Sequence, residues 1–336
     1  MAPPFGILEP VAGPRVSIVV PFRDRRAMVR ELLDAVAAQT ADDFELLMVD
    51  DGSSDGAPLE VQADIDGGRP VRLVRNVGTG AYAARQAGAA ASDAMYLAFT
   101  DSDCVPDPHW LANGVAALDK GADVVNGTTV PVRAPQPLER TMWSGEEGLY
   151  PTSNVFYRRE AFDRAGGFDL SAGDRFGFAA GSQPRRMGFG EDTLLGWAVR
   201  RQGVAVHRPD AVVRHAVLRR DLPDTLRRTR MMRAFPALIC EVPELRGGPL
   251  LRHGVVLNTD GDRLPLYALL LAIIARRRRL AIGASAWWVT ARLRDARRAQ
   301  GPVAGRVLAV PVQMGLDVVA TASLLEGSVR FGSTVL

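Results

Sequence analysis

The stretch "YLAFTDSDCVPD", residues 96–107, decides the fold. An apolar run, Tyr96 to Phe99, delivers the chain into two aspartates, Asp101 and Asp103, separated by Ser102. A strand buried on both faces reads as a continuous apolar run, and open α/β sheets bind their ligands at the C-terminal ends of such strands. The two carboxylates are therefore expected at the sheet's working edge. Carboxylates this close repel each other unless a cation or hydrogen-bond donors lie between them, and hard oxygen ligands suit Mg²⁺ or Mn²⁺. The alternative is a solvated turn with an Asx hydrogen bond.

Upstream, strand-like and helix-like segments alternate. "RVSIVVPF" is a buried strand, and "RRAMVRELLDAVAAQT" places Met28, Leu32, Leu33 and Val36 at helical spacing. "FELLMVDDGSSDG" is a second strand entering a turn, followed by the strand "PVRLVRN", the Ala-rich helix "GAYAARQAGAAAS" and the strand that opens this section. This βαβαβ order predicts a parallel sheet with right-handed crossovers. It places Asp50 and Asp51 beside Asp101 and Asp103 at the C-terminal ends of neighbouring strands. The first strand ends in "PFRDRR" rather than Gly-x-Gly-x-x-Gly, and no Walker-type phosphate loop is present. A bound nucleotide would be held by other means.

The chain has 336 residues, 47% of them apolar, enough for one large domain or two ordinary ones. Its mean hydropathy of zero fits a globular protein. Cys104 and Cys240 form neither a disulfide framework nor a metal spacing, as expected of reduced residues in a cytosolic protein. The N-terminus "MAPPFGILEPVAGPR" lacks a basic region followed by an apolar stretch, so no signal peptide is expected. The net charge of +3 conceals a split: residues 1–212 carry 21 basic and 29 acidic side chains, whereas residues 213–336 carry 20 arginines against 9 acids. The apolar runs among these arginines favour an anionic membrane surface over nucleic acid, since aromatic residues for base stacking are sparse.

Six features in order, "VSIVVPFRDR", "LLMVDDGSSDG", "NVGTGAYAARQAG", "YLAFTDSD", "TSNVFYRREAFDRAGGFD" and "GFGEDTLLGWAVRRQG", resemble the family 2 glycosyltransferases, which have the GT-A fold. The resemblance implies an α/β, Rossmann-like, mostly parallel central sheet and a nucleotide-sugar donor, by default a UDP-sugar. Asp50 or Asp51 would hydrogen-bond base and ribose, with Pro21, Asn76 and Ser102 completing the donor pocket. Arg85 would approach the uracil or diphosphate through its planar fork. Asp101 would contact ribose, while Asp103 would bind a divalent cation, Mn²⁺ or Mg²⁺, that bridges the diphosphate and neutralises the leaving group.

The same resemblance places the catalytic base at Asp192 of the Glu191–Asp192 pair, at the start of a helical pattern whose N-terminus favours acids. It would take the proton of an acceptor hydroxyl during attack on the anomeric carbon, with inversion, while Glu191 orients the acceptor. His215, 23 residues beyond Asp192, stands where several resembling enzymes place a metal-ligating histidine. His207, His109 and His253 lack such motif support. Asn154 and, in the glycine-containing insert "LSAGDRFGFAAGSQPRRMGF", Arg185 and Arg186 are acceptor-loop candidates. Asp24 stands where many relatives carry Asn.

These readings divide the chain into a GT-A domain over 15–220, a helical linker over 221–262 and an amphipathic helical region over 263–336. In the last, "LPLYALLLAIIA" is a 12-residue apolar run that rises only about 18 Å as a helix, short of the roughly 30 Å hydrocarbon layer. Arg276 to Arg279, Trp287 and Trp288 follow it. The expectation is a peripheral attachment to the inner face of the cell membrane without a span, with a lipid-linked hydroxyl acceptor. A soluble helical pair covering the core is the alternative.

Overall fold

The computed structural model describes residues 13–78, 80–177, 188–219, 221–257 and 263–336. Its first part runs β1 (Val16–Phe22), α1 (Arg26–Ala37), β2 (Phe44–Asp50), α2 (Ala57–Asp66), β3 (Val71–Arg75), α3 (Ala81–Ala90), β4 (Tyr96–Thr100), β5 (Cys104–Pro106) and α4 (Trp110–Asp119). β6 (Val124–Pro131), β7 (Glu139–Arg140), β8 (Asn154–Arg158), α5 (Arg159–Arg164), α6 (Ala172–Arg175), α7 (Glu191–Arg200), β9 (Ala205–His215) and β10 (Leu218–Arg219) complete it.

Eight strands form one sheet in the order β3-β2-β1-β4-β8-β6-β9-β5. β3, β2, β1 and β4 run parallel, as the alternating pattern predicts. β8 is antiparallel to both β4 and β6, and β5 is antiparallel to β9, so the sheet is mixed beyond β4. β1 lies between β2 and β4, so the two aspartate pairs are not on adjacent strands; the Phe22–Arg25 turn separates them.

β1 is buried along its whole length because helices cover both faces. Ile18, Val20 and Phe22 join the α1 side with Val29, Leu32 and Leu33, while Val19 joins the α3 side with Leu47, Val49 and Phe99. Alternation along the strand divides its side chains between two cores. α3 approaches the sheet so closely that a Cβ on Gly88 would lie 2.5 Å from Val19 Cγ1. That proximity brings the start of α3, with Tyr82 and Arg85, to the sheet's C-terminal edge.

Beyond β10 come α8 (Leu222–Arg230), a 3₁₀ turn over Met231–Ala234, α9 (Phe235–Glu241) and a second 3₁₀ turn over Pro243–Gly247. A small hairpin, β11 (Leu251–Arg252) and β12 (Val256–Leu257), precedes α10 (Leu264–Ile274), α11 (Arg278–Arg298) and α12 (Val303–Phe331). Asp221 caps α8, its carboxylate accepting from Asp224 N–H. α12 lies against α8 and α9. A Cβ on Gly327 would lie 2.1 Å from the Arg233 carbonyl oxygen, so the two backbones meet there directly. By length and composition α12 could cross a membrane, yet Leu316, Asp317, Ala320, Leu324 and Gly327 are buried in the protein. The fold is of the GT-A type, with a helical C-terminal region that contains this one long apolar helix.

Candidate active site

The C-terminal edge of the sheet opens on a first cavity of about 440 Å³, lined by Pro21, Asp51, Arg85, Asp101, Ser102 and Asp103 with the Phe22–Arg25 turn. Asp51 Oδ1 accepts from Asn76 Nδ2 at 2.7 Å and Oδ2 accepts from Gly80 N–H at 3.1 Å. Asp50, the other member of that pair, accepts from Ser53 N–H at 2.8 Å and lies 3.6 Å from Arg75, bracing the turn. Asp24 adopts φ +48°, a conformation open mainly to Gly, Asn and Asp. Its Oδ1 accepts from Ser54 N–H at 2.6 Å and Ser54 Oγ at 3.0 Å, tying the β1 and β2 turns together.

Asp101 is paired with the buried Arg85, and Asp103 with Arg25. His215 is brought to Asp103 by the antiparallel pairing of β5 with β9, in which Cys104 opposes His215. Its Nδ1 lies 2.7 Å from the Ala216 carbonyl oxygen, which only accepts, so Nδ1 donates there and Nε2 is the ring nitrogen turned toward Asp103. That Nε2 stands 3.6 Å from Asp103 Oδ1. One ligand atom from each of Asp103, Cys104 and His215 lies within 4.8 Å of the others. Burial, then the charges of Asp101 and Asp103, push the Cys104 thiol well above its usual range, so it remains protonated. A carboxylate beside a correctly tautomerised imidazole fits a Mn²⁺ or Mg²⁺ ion.

A second cavity of about 640 Å³ is lined by Asp192, Tyr82, Thr193, Leu149, Phe235 and Leu316 among others. Burial raises Asp192 to about 6, opposed by the Thr193 N–H, the Arg85 charge and a hydrogen bond from Tyr82. Burial raises Glu191 to about 7. Glu191 is 3% exposed, and among the described residues its Oε2 has no hydrogen-bond partner. The Arg85 guanidinium stacks 4.9 Å from the Tyr82 ring centroid. Asp101, Arg85, Tyr82 and Asp192 thus form a continuous chain of contacts between the two cavities.

Asn154 takes no part in either cavity. It is fully buried, its Nδ2 donating to the Thr128 and Ala211 carbonyls at 2.9 Å and its Oδ1 accepting from Trp110 Nε1 at 2.9 Å. It pins the point where the β6–β9 register shifts, between Gly127 and Thr128. Arg185 and Arg186 lie outside the described residues. Sequence reasoning did not single out Tyr82, which lines the second cavity, Arg25, which lines the first, or Arg228 of α8, which lines both. Tyr82 sits in a quoted motif, but only the packing of α3 against the α7 start shows what its hydroxyl meets.

Residues 17–171 match the model of glycosyl transferase family 2. The glycosyltransferase AglE of Haloferax volcanii is 30% identical over 179 residues, which cover 48% of this chain and 59% of that protein. The undecaprenyl-phosphate 4-deoxy-4-formamido-L-arabinose transferase of Proteus mirabilis is 30% identical over 116 residues, covering 33% of this chain and 36% of that protein. The chain therefore spans between about a third and three-fifths of these relatives' lengths. A solved structure of the mannosyltransferase PcManGT from Pyrobaculum calidifontis, in complex with GDP-Man and Mn²⁺, superposes with a TM-score of 0.54 at 19% identity, covering 96% of this chain and 88% of that one. The match to the glycosyl transferase family 2 model thus rests on residues 17–171, just under half of the chain.

Proposed function

We propose that this protein transfers a glycosyl group from a nucleotide sugar to a hydroxyl of a lipid-linked acceptor, with inversion and with a divalent cation, at the inner face of the cell membrane. One observation carries the reading. Asp103, with His215 3.6 Å behind its carboxylate, lines one cavity, a carboxylate raised to about 6 lines the next, and a chain of contacts joins them.

In this mechanism the first cavity takes the donor. Asp51, fixed by Asn76 and Gly80, holds the nucleoside end, and Asp101 with Arg85 walls the ribose. Asp103 and His215 would hold Mn²⁺ or Mg²⁺, which when bound supplies charge neutralisation for the departing diphosphate. Asp192 accepts the acceptor hydroxyl's proton as the oxygen attacks the anomeric carbon from the face opposite the diphosphate. A carboxylate raised to about 6 is ionised at pH 7 yet basic enough to help, which is the usual compromise for a general base. Glu191, behind Asp192 on the same helix start, shapes the wall that orients the acceptor.

The apolar side of the second cavity supports a lipid-linked acceptor. Leu138, Glu139 and Gln313 are shared with an adjoining cavity of about 470 Å³ between the 135–139 loop, α11 and α12. The same helical region exposes Leu271, Ile273 and Ile274 on α10, Leu280 and Ile282 on α11, and Val307 and Leu308 on α12, apolar side chains suited to lipid. With the second half of α12 docked on the protein, roughly 20 Å of its first half is left for lipid, short of the bilayer core. The undecaprenyl-phosphate transferase among the relatives points the same way.

The test is a panel of UDP- and GDP-sugars, the latter prompted by the GDP-Man complex of the structural neighbour, incubated with Mn²⁺ and polyprenyl-phosphate-linked or free sugar acceptors. Release of nucleoside diphosphate with sugar transfer is expected. Pyrophosphate release would instead indicate a nucleotidyltransferase, and binding without turnover a sugar-nucleotide-binding scaffold.

A further inference from the structure

Arg228, on α8, lines the first cavity and also the second. It is the single residue those two linings share among the described residues. It also borders a third cleft of about 630 Å³ lined by Asp24, Asp55, Asp221 and Asp224. The other side chains of the first cavity come from residues 21–103, so Arg228 is the one contribution to that lining from beyond β9. Its Nε donates to Asp224 Oδ2 at 3.1 Å, one turn earlier on the same helix, and its side chain is 35% exposed. Arg228 therefore borders both the cavity read for the donor and the cavity read for the acceptor, with an ion pair to Asp224 on its own helix.

From this placement, and resting on the reading of the two cavities given above, we propose that Arg228 binds the diphosphate of the donor and of the product, at the end where the glycosyl bond breaks. In the transfer the acceptor oxygen forms its bond to the anomeric carbon and gives its proton to Asp192. The bond from that carbon to the phosphate oxygen breaks, and its electron pair leaves with the diphosphate. The departing oxygen gains charge at the junction of the cavities, where a planar guanidinium can take two phosphate oxygens at once. Because Asp224 faces the third cleft, Arg228 can turn between it and the phosphate. A lysine would supply the charge without the fork.

Calorimetry on the full chain with Mn²⁺ tests this, using the nucleoside diphosphate of the best donor, the matching monophosphate and the nucleoside. Arg228→Gln is expected to weaken the diphosphate by about tenfold or more, as for loss of a hydrogen bond to a charged group, while monophosphate and nucleoside bind as to the wild type. Arg228→Lys should recover part of the loss. Asp224→Asn, which removes the charge of that neighbour, should leave diphosphate affinity equal or tighter. Equal weakening of all three ligands by Arg228→Gln, unchanged diphosphate affinity, or an Asp224→Asn loss as large as that of Arg228→Gln would each overturn the role. If the wild type binds no nucleoside diphosphate, the donor-site reading itself fails and the role of Arg228 with it.

Discussion

His215 Nε2 stands 3.6 Å from Asp103 Oδ1, while Arg25 occupies Oδ2 of the same carboxylate. The two oxygens of Asp103 are thus divided between the His215 ring and the Arg25 guanidinium. A divalent ion entering beside Asp103 competes with the Arg25 guanidinium for the charge of the same carboxylate. Arg25 borders both the first cavity and the third cleft, whose lining carries four aspartates and four arginines, so other carboxylates stand along its edge.

The first prediction is a pair of opposite shifts in Mn²⁺ affinity, read by calorimetry without donor. His215→Ala should weaken Mn²⁺ by at least about tenfold, the lower end of losses seen even for residues that only support a ligand. Arg25→Gln should tighten it, because the competing internal cation is gone. If both variants weaken the ion equally, Arg25 is a structural support and not a competitor.

The second prediction concerns pH. As a base, Asp192 works only when ionised, so kcat/KM should fall below about pH 6 and level off above it, following the value to which burial raises this carboxyl. Tyr82 lowers that value by donating to the carboxylate. Tyr82→Phe should therefore move the acid limb to higher pH, and Asp192→Asn should abolish transfer while leaving nucleotide binding intact. An unmoved limb in Tyr82→Phe, or near wild-type turnover in Asp192→Asn, would rule out this assignment of the base.

Much of this site is legible in local sequence, and what is not depends on tertiary packing. Asp101 and Asp103 follow a continuous apolar strand, so alternation and strand length alone put them at the sheet edge. Asp51 and Asp50 read as equivalent, yet one faces the cavity and the other braces a turn with Ser53, a choice set by the backbone of a glycine turn. Asn154 reads as a loop amide, but all its donors and its acceptor are used inside the β6–β9 irregularity, which no periodicity announces. Arg25, Tyr82 and Arg228 acquire partners 78, 110 and four residues away. The two long-range contacts exist only once β1, α3 and α7 are assembled. The exposed apolar faces of α10 and α11 are legible, but the burial of one side of α12 is not, because its small and apolar residues also suit a lipid-facing helix.

Glu191 gives a third prediction, on stability. Its folded value, about 7, lies above the unfolded value near 4.5. The protonated form is therefore the one the fold favours. Stability from this group is intact below about pH 4.5, declines as pH rises and is fully lost above about pH 7, on the order of 3 kcal/mol at most. Glu191→Gln keeps the shape without the charge. Urea unfolding should show the variant more stable than wild type at pH 8 and similar to it at pH 5; the same offset at both pH values would show that ionisation of Glu191 is not the cause.

The last prediction joins α11, α12 and the membrane. Asp317 on α12 accepts from Arg292 Nε at 2.7 Å, Arg292 Nη2 at 3.0 Å and Trp288 Nε1 at 2.9 Å, with the Arg292 and Asp317 side chains 2% and 5% exposed. Breaking a buried bidentate pair from one side costs up to about 3–5 kcal/mol when the remaining charge is uncompensated, and Asp295, 2.8 Å from Arg292 Nη1, offsets part of that cost here. It locks the α10–α11 hairpin to a helix that is itself docked on α8 and α9. Asp317→Ala should therefore loosen the hairpin, seen as faster amide exchange and easier proteolysis over 278–298, while the sheet's exchange is unchanged. Wild-type protein should float with vesicles containing anionic lipid, and salt should weaken but not abolish this, since Arg276 to Arg279 act through charge and the exposed Leu, Ile and Trp side chains act through burial. Asp317→Ala, with its hairpin free to rotate, should still float yet lose transfer to a lipid-linked acceptor more than donor hydrolysis in water. Equal loss of both activities would place the lock in the general stability of the fold, and absence from every vesicle type would leave the apolar faces of α10 and α11 without a lipid role.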